Sequence, residues 1–292
     1  MSRVPGRAAW LLVLVACGRD PDTIAICSKN FTESILLGEI VAQQIERAGH
    51  PVDRRFNLGG TFVCHSALHA GQIDLYVEYT GTAYAAVLQL PVERDSRRVR
   101  RMVDSVYRAR WGVEWGAPLG FENTFAVLVR GDDARRLGLT TISDAIGAAR
   151  SWRPGLGYEF VERADGYRGL LAAYGLTFAA APAEMDLGLT YRALADGRVD
   201  VIVGNSTDGL IDALDLVQLE DDRRYFPPYE AVPIVRSETL ARHPDVRAAL
   251  AALGGRIDAA SMRRMNFQVD GAKRAVADVA REFLAGVPDA VR

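Results

Sequence analysis

Lysine is almost absent: Lys29 and Lys273 stand against 33 arginines among 35 basic residues. A GC-rich genome that drifts Lys to Arg accounts for the bias in general, and it leaves Lys29 as a position to explain. No run of Lys or Arg occurs, and the formal charge is −2, so nothing in the charge pattern calls for nucleic acid. Three cysteines are too few for a fold built on disulfides. Four histidines, with no G-x-S-x-G and no H-E-x-x-H, leave no nucleophile or zinc-hydrolase motif, so the chain reads as a non-enzyme. No run of about 18 apolar residues exists, which excludes a spanning helix. What is there is an ordinary globular balance, 49% hydrophobic and 25% charged over 292 residues. That length suits two domains of about 100–150 residues each.

Residues 1–16 read as an export address. Arg3 and Arg7 form a short basic start, and Ala8 to Val15 form a short apolar stretch. Leu14-Val15-Ala16-Cys17 then resembles a bacterial lipobox, in which the peptidase cuts before Cys17 and its thiol carries diacylglycerol. An ordinary signal peptide with an incidental cysteine is the alternative. Lipid would tether the mature chain to the membrane through buried acyl CH₂ groups, at about 0.8 kcal/mol each. Export also permits a disulfide between Cys27 and Cys64. The sequence leaves that bond and two buried free thiols both open.

Downstream, strands alternate with helices. Thr23–Ile26, Val52–Phe56 and Asp74–Val77 read as strands, each followed by a helix. Asn30 and Glu33 have the spacing of a capping box. A second unit starts near Phe125, with strands at Ala126–Val129, Gly157–Phe160 and Val199–Val203. Val232–Val235 is a further strand, and three helices follow. This order predicts an α/β fold with mainly parallel sheets. Two crossings, near 118–124 and 225–231, divide it into lobe I (17–121 and 230–292) and lobe II (122–229).

Four turns repeat one design: Ser28-Lys29-Asn30, Gly59-Gly60-Thr61, Thr80-Gly81-Thr82 and Ser206-Thr207-Asp208. Each falls after a strand and before a helix. Strand C-termini of an open sheet face the ligand crevice, and helix N-termini offer free N–H groups to an anion. Four such turns in one chain predict a small-molecule cleft between two lobes.

With these turns on the page, a set of motifs becomes specific. SKNFTE (Ser28–Glu33), NLGGT (Asn57–Thr61), DLYVEYTGT (Asp74–Thr82), ERADG (Glu162–Gly166), STDG (Ser206–Gly209) and FPPY (Phe226–Tyr229) resemble the osmoprotectant family. These are the glycine betaine/choline/carnitine-type substrate-binding proteins of ABC importers. The resemblance covers nearly all of 22–292 and implies the two-lobed, type II periplasmic-binding architecture. It implies a ligand cage of aromatic faces, since a trimethylammonium group cannot donate an N–H bond. Tyr79 and Tyr229 match cage tyrosines, Phe125 keeps a ring, and Asn205 replaces a fourth. Lys29, Thr82 and Arg163 match carboxylate ligands. The resemblance implies a small zwitterionic or quaternary-ammonium, betaine-like solute, and Asn205 leaves a larger or more polar ligand, an ergothioneine-like betaine or an amino acid, as the alternative. The family also implies a permease with its ATPase as partners, and lobe closure as the capture step. No cofactor is called for, and a monomer is expected. A ligand-sensing receptor is the other reading. Tyr76 and Tyr84 read as packing residues, Glu78 and Asp208 as acids near the cleft. His65 and His69 share a helix face, a weak metal pattern, and His243 reads as a surface residue.

Overall fold

The computed structural model describes residues 22–91 and 93–287; Cys17 and the export segment lie outside them. Two five-stranded sheets form the frame. The first takes β1 (Ile24–Lys29), β2 (Val52–Gly59), β3 (Leu75–Tyr79), β4 (Val113–Trp115) and, after a long excursion, β10 (Ala231–Arg236). Their spatial order is β2-β1-β3-β10-β4. The second takes β5 (Phe125–Arg130), β6 (Pro154–Gly157), β7 (Ala183–Met185), β8 (Val201–Asn205) and β9 (Leu216–Leu219), in the order β7-β6-β8-β5-β9.

β1 is buried along its whole length, as expected of an apolar strand covered on both faces. Helix Thr32–Arg47 covers one face with Leu36, Leu37, Ile40, Val41 and Ile45. Gly38 in this helix lets it lie close, since a Cβ there would stand 3.0 Å from the Phe56 ring. Helix Val276–Leu284 packs beyond it through Val279, Ala280 and Leu284. On the other face, helix Ser96–Trp111 is capped by Asp95, whose side chain accepts from the Arg97 and Arg98 N–H groups, and ends at Gly112 with φ of 59°. That end satisfies helix carbonyls at little steric cost.

The sheets are mixed rather than mainly parallel. β1 runs parallel to β2 and β3, and β6 parallel to β7 and β8. β10 is antiparallel to β3 and β4, and β5 antiparallel to β8 and β9. The reversed strands are the first ones laid down after each crossing. The crossing segments run side by side, with Glu122 bridged to Glu230 and the Asn123 N–H on the Tyr229 carbonyl at 3.1 Å. Two adjacent connecting strands form a hinge-type link between the sheets.

Several local expectations are corrected. Glu159 and Phe160 lie in helix Tyr158–Glu162, not in a strand, because β6 ends at Gly157. Four helices, not three, follow β10. Thr82–Val87 is a π-helical turn, a feature concentrated at functional sites. The capping box does not form: Phe31 is the N-cap position, without a side-chain cap. His243 is buried at 8% exposure, edge-on to His50.

Candidate functional site: a cleft between the sheets

The strand-to-helix turns converge. Lys29, Asn30, Thr61 and Thr82 line a cavity of about 810 Å³, counted with its open mouth, between the two sheets. Tyr79, Phe125, Arg163, Asn205 and Tyr229 line the same cavity, so all seven sequence-derived ligand positions meet there. The β5–β8 register pairs Phe125 directly with Asn205, which sets the two side chains on one face of that sheet.

Both cations expected to hold a carboxylate are already engaged. Lys29 is 2% exposed, and its Nζ lies 2.5 Å from Glu78 Oε1. Glu78 also accepts from the Tyr76 hydroxyl at 3.0 Å. Arg163 donates twice to Asp165, from Nε at 2.8 Å and Nη2 at 2.6 Å. The Tyr229 hydroxyl donates to the same carboxylate at 2.9 Å. Burial opposes the charge on Arg163, but Asp165 and its neighbours raise its pKa further above the ordinary arginine range. The remaining guanidinium nitrogen, Nη1, reaches Thr82 Oγ1 and Glu159 Oε1, each at 3.3 Å.

Aromatic surface exceeds the expected three rings. Phe31, Tyr158 and Phe160 join Tyr79, Phe125 and Tyr229 on the wall. Phe125 packs edge-on against Phe160 at 4.8 Å and Tyr229 at 5.6 Å. Lys29 Nζ sits 5.1 Å from the Tyr79 ring centre, and Arg163 Cζ 5.0 Å from that of Phe125. Phe31 was visible in SKNFTE, one residue from an expected cap. Phe160 was hidden by a strand assignment shifted by three residues.

Two acids join the lobes, and neither was assigned to the site from sequence. Glu159 accepts from Thr61 Oγ1 at 2.7 Å and from the Thr61 N–H at 3.2 Å, across the cleft. Burial pushes this carboxyl up, but Lys29, Arg163 and Thr61 outweigh it and hold its pKa below the usual value. Glu33 is 3% exposed and accepts four donors. They are the hydroxyls of Tyr79 (2.6 Å) and Thr207 and the amides of Asn123 (2.8 Å) and Asn266 (3.0 Å). Burial raises its pKa, and the four donors only partly offset that. Burial and Glu33 in turn keep the Tyr79 hydroxyl protonated as a donor.

The Asn205 backbone N–H donates to the Tyr191 hydroxyl oxygen at 3.0 Å. Its side-chain amide makes no hydrogen bond among the described residues. The Asp208 side chain accepts from the Leu210 N–H at 2.9 Å, and burial pushes its pKa up to about 6. Tyr76 and Tyr84 are buried in the core beside helix Ser96–Trp111. His65 and His69 pack edge-on against Trp111; among the described residues no group of three His, Cys, Asp or Glu could hold a metal. Cys27 and Cys64 are placed as a disulfide with Cα atoms 6.4 Å apart, tying β1 to helix Thr61–His69.

Two lobes, a hinge of paired crossings and a buried aromatic cleft define a two-lobed solute-binding protein. The family profile described as the substrate-binding domain of ABC-type glycine betaine transport systems matches residues 22–286, and the chain belongs to that family. It is 32% identical over 280 residues to an ergothioneine transport permease/ergothioneine binding protein of Helicobacter pylori, covering 95% of this chain but 49% of that one. The chain therefore spans about half the length of that relative. It is 34% identical to a carnitine transport binding protein of Listeria monocytogenes, covering 91% of this chain and 87% of the other. A crystal structure of a glycine betaine/carnitine/choline ABC transporter component superposes with TM-score 0.75 at 31% identity, over 90% of this chain and 97% of that one.

Proposed function

We propose that the chain is the extracytoplasmic capture protein of an ABC importer and takes a small quaternary-ammonium or zwitterionic solute between its lobes. The convergence of Lys29, Tyr79, Thr82, Phe125, Arg163, Asn205 and Tyr229 on one aromatic cleft carries this reading. Onium methyls pack on the ring faces, where cation–π attraction contributes about 0.5–2 kcal/mol per ring. Thr82 and the outer nitrogen of Arg163, which hydrogen-bond each other at 3.3 Å, are the groups that meet a polar or carboxylate end. The lobes are those delimited in sequence, 17–121 with 230–292 and 122–229. Closure forms the Thr61–Glu159 and Glu33–Thr207 contacts across the cleft, so a ligand that makes contacts only in the closed form shifts the equilibrium toward it. A permease and its ATPase then take up the solute, a Cys17-linked lipid holds the protein at the membrane, and the protein works as a monomer without catalysis. A larger polar onium solute is the second reading, favoured by the unpaired Asn205 amide.

Calorimetric titration with glycine betaine, choline, carnitine and ergothioneine tests the reading. Binding of at least one, lost in Phe125→Ala, is expected. Failure of every onium compound to bind, in protein shown to be folded, overturns it.

A further inference from the structure

Glu33 fixes the orientation of two amides. Asn123 and Asn266 both turn Nδ2 toward its carboxyl, and Asn266 Nδ2 also meets the Thr207 carbonyl at 2.9 Å. Their Oδ1 atoms are thereby committed as acceptors elsewhere. Both Oδ1 atoms are buried without a partner, on residues only 7% and 2% exposed. An acceptor left this way costs about 1–3 kcal/mol, so a group that donates to it recovers that loss.

Both asparagines line a second chamber of about 1060 Å³, counted with its open mouth. It adjoins the aromatic cleft, sharing Asn30, Phe31, Asn123, Asp186, Leu187 and Asn205 with it. Asn205, where a fourth cage ring would have stood, lies on their common wall. Asp208 and Asp270 contribute half-buried carboxylates to this chamber, Asp270 also accepting from Thr32 Oγ1 at 2.7 Å, whereas Asp186 and the cations Arg192 and Lys273 are exposed. Buried acceptors and inward carboxylates together select N–H donors and positive charge.

We infer that the cleft has two linked chambers and that its solute has two ends: an onium head for the aromatic chamber and an N–H-bearing cationic end that reaches Asn123, Asn266 and the Asp208 and Asp270 carboxylates. The inference rests on the onium reading of the first chamber and specifies the solute class further. Glycine betaine and choline fill only half of such a site.

The test is a matched series. Aminopropyl-, aminobutyl- and aminopentyl-trimethylammonium are titrated against propyl-, butyl- and pentyl-trimethylammonium. Each pair differs only in the terminal ammonium. At the best linker length, the amino compound binds about tenfold tighter or more, as expected for hydrogen bonds to charged groups. That ratio falls toward one in Asp270→Asn and in the Asp208→Asn, Asp270→Asn double variant, with folding checked by circular dichroism. Equal affinity within every pair for the wild type overturns the second chamber while leaving the onium reading intact. Failure of both series to bind overturns the onium reading, and the inference with it.

Discussion

Asp165→Asn separates two ways in which this cleft could see charge. Asp165 is 4% exposed and takes both inner nitrogens of Arg163 together with the Tyr229 hydroxyl. Its charge cancels the cation that a ligand carboxylate would seek. A ligand charge about 6 Å from that carboxylate interacts by about 3 kcal/mol at an effective dielectric near 20. Water in the open mouth halves this, leaving about 1.4 kcal/mol, or tenfold in affinity. In Asp165→Asn a carboxylate ligand such as glycine betaine should gain about tenfold from the freed guanidinium. Choline, with no anionic end, should lose a similar factor. The affinity ratio thus moves by about a hundredfold. The substitution also strands a buried guanidinium and costs about 3 kcal/mol of stability, so titrations belong well below the variant's Tm. Paired calorimetric titrations of wild type and variant read the ratio. An unchanged ratio in a folded variant refutes the reasoning, because the ligand then does not sense charge at this wall.

Glu159→Gln should weaken the tie to Thr61 and favour an open cleft, seen as a larger radius of gyration by X-ray scattering and weaker solute binding. Asp208 titrates near 6 rather than near the ordinary 4. Its folded-state pKa is raised, so the folded form resists ionising it, and stability falls as pH rises from about 4 to about 6. At about 1.4 kcal/mol per unit this weighs about 2–3 kcal/mol above pH 6. Asp208→Asn, which can still cap Leu210, should therefore raise Tm at pH 7 and change it little at pH 4. The Cys27–Cys64 bond closes a loop with a sequence separation of 37, worth about 4 kcal/mol in chain entropy. Reduction should lower the urea midpoint accordingly, and two free thiols in unreduced, unfolded protein would contradict the bond. Cys17→Ser should release the protein from the membrane fraction, whereas an unmodified mature N-terminus by mass spectrometry would refute the anchor.

The frame was legible because its signals are local. Short strands ending in polar turns mark β1, β2, β3 and β8, and the turns after them mark the cleft wall. β5 and β10 were read as strands but their antiparallel direction was not legible, since direction depends on where a crossing re-enters a sheet. β4, β7 and β9 are short, three or four residues each, and carry too little periodicity to register. The shift at Gly157 has a similar origin. Gly155 and Gly157 lower strand propensity, so the aromatic Tyr158 and Phe160 drew the strand toward its C-terminal end.

At the site, residue identity was readable and pairing was not. Lys29 and Arg163 stood out by type, but their neutralising carboxylates lie 49 residues away at Glu78 and two residues away at Asp165. The first is invisible without the β1–β3 pairing. The second, inside ERADG, reads from sequence as a turn acid. Glu33 shows the same limit more sharply. Its spacing from Asn30 fits a capping box, a local use that would have left it at the surface. Instead Phe31 takes the cap position and joins the cleft wall, and Glu33 turns inward to collect donors from four distant segments. A buried carboxylate with donors from both lobes is costly to form and therefore specific to the arrangement that satisfies it. Separation of the lobes would strip Thr207 from Glu33, and Thr61 from Glu159, at opposite sides of the cleft. Closure is thus stabilised by polar ties at the cleft, one of them in the wall of the aromatic cavity, where Glu159 takes both Thr61 and the outer nitrogen of Arg163, and the ring faces are left to choose the solute.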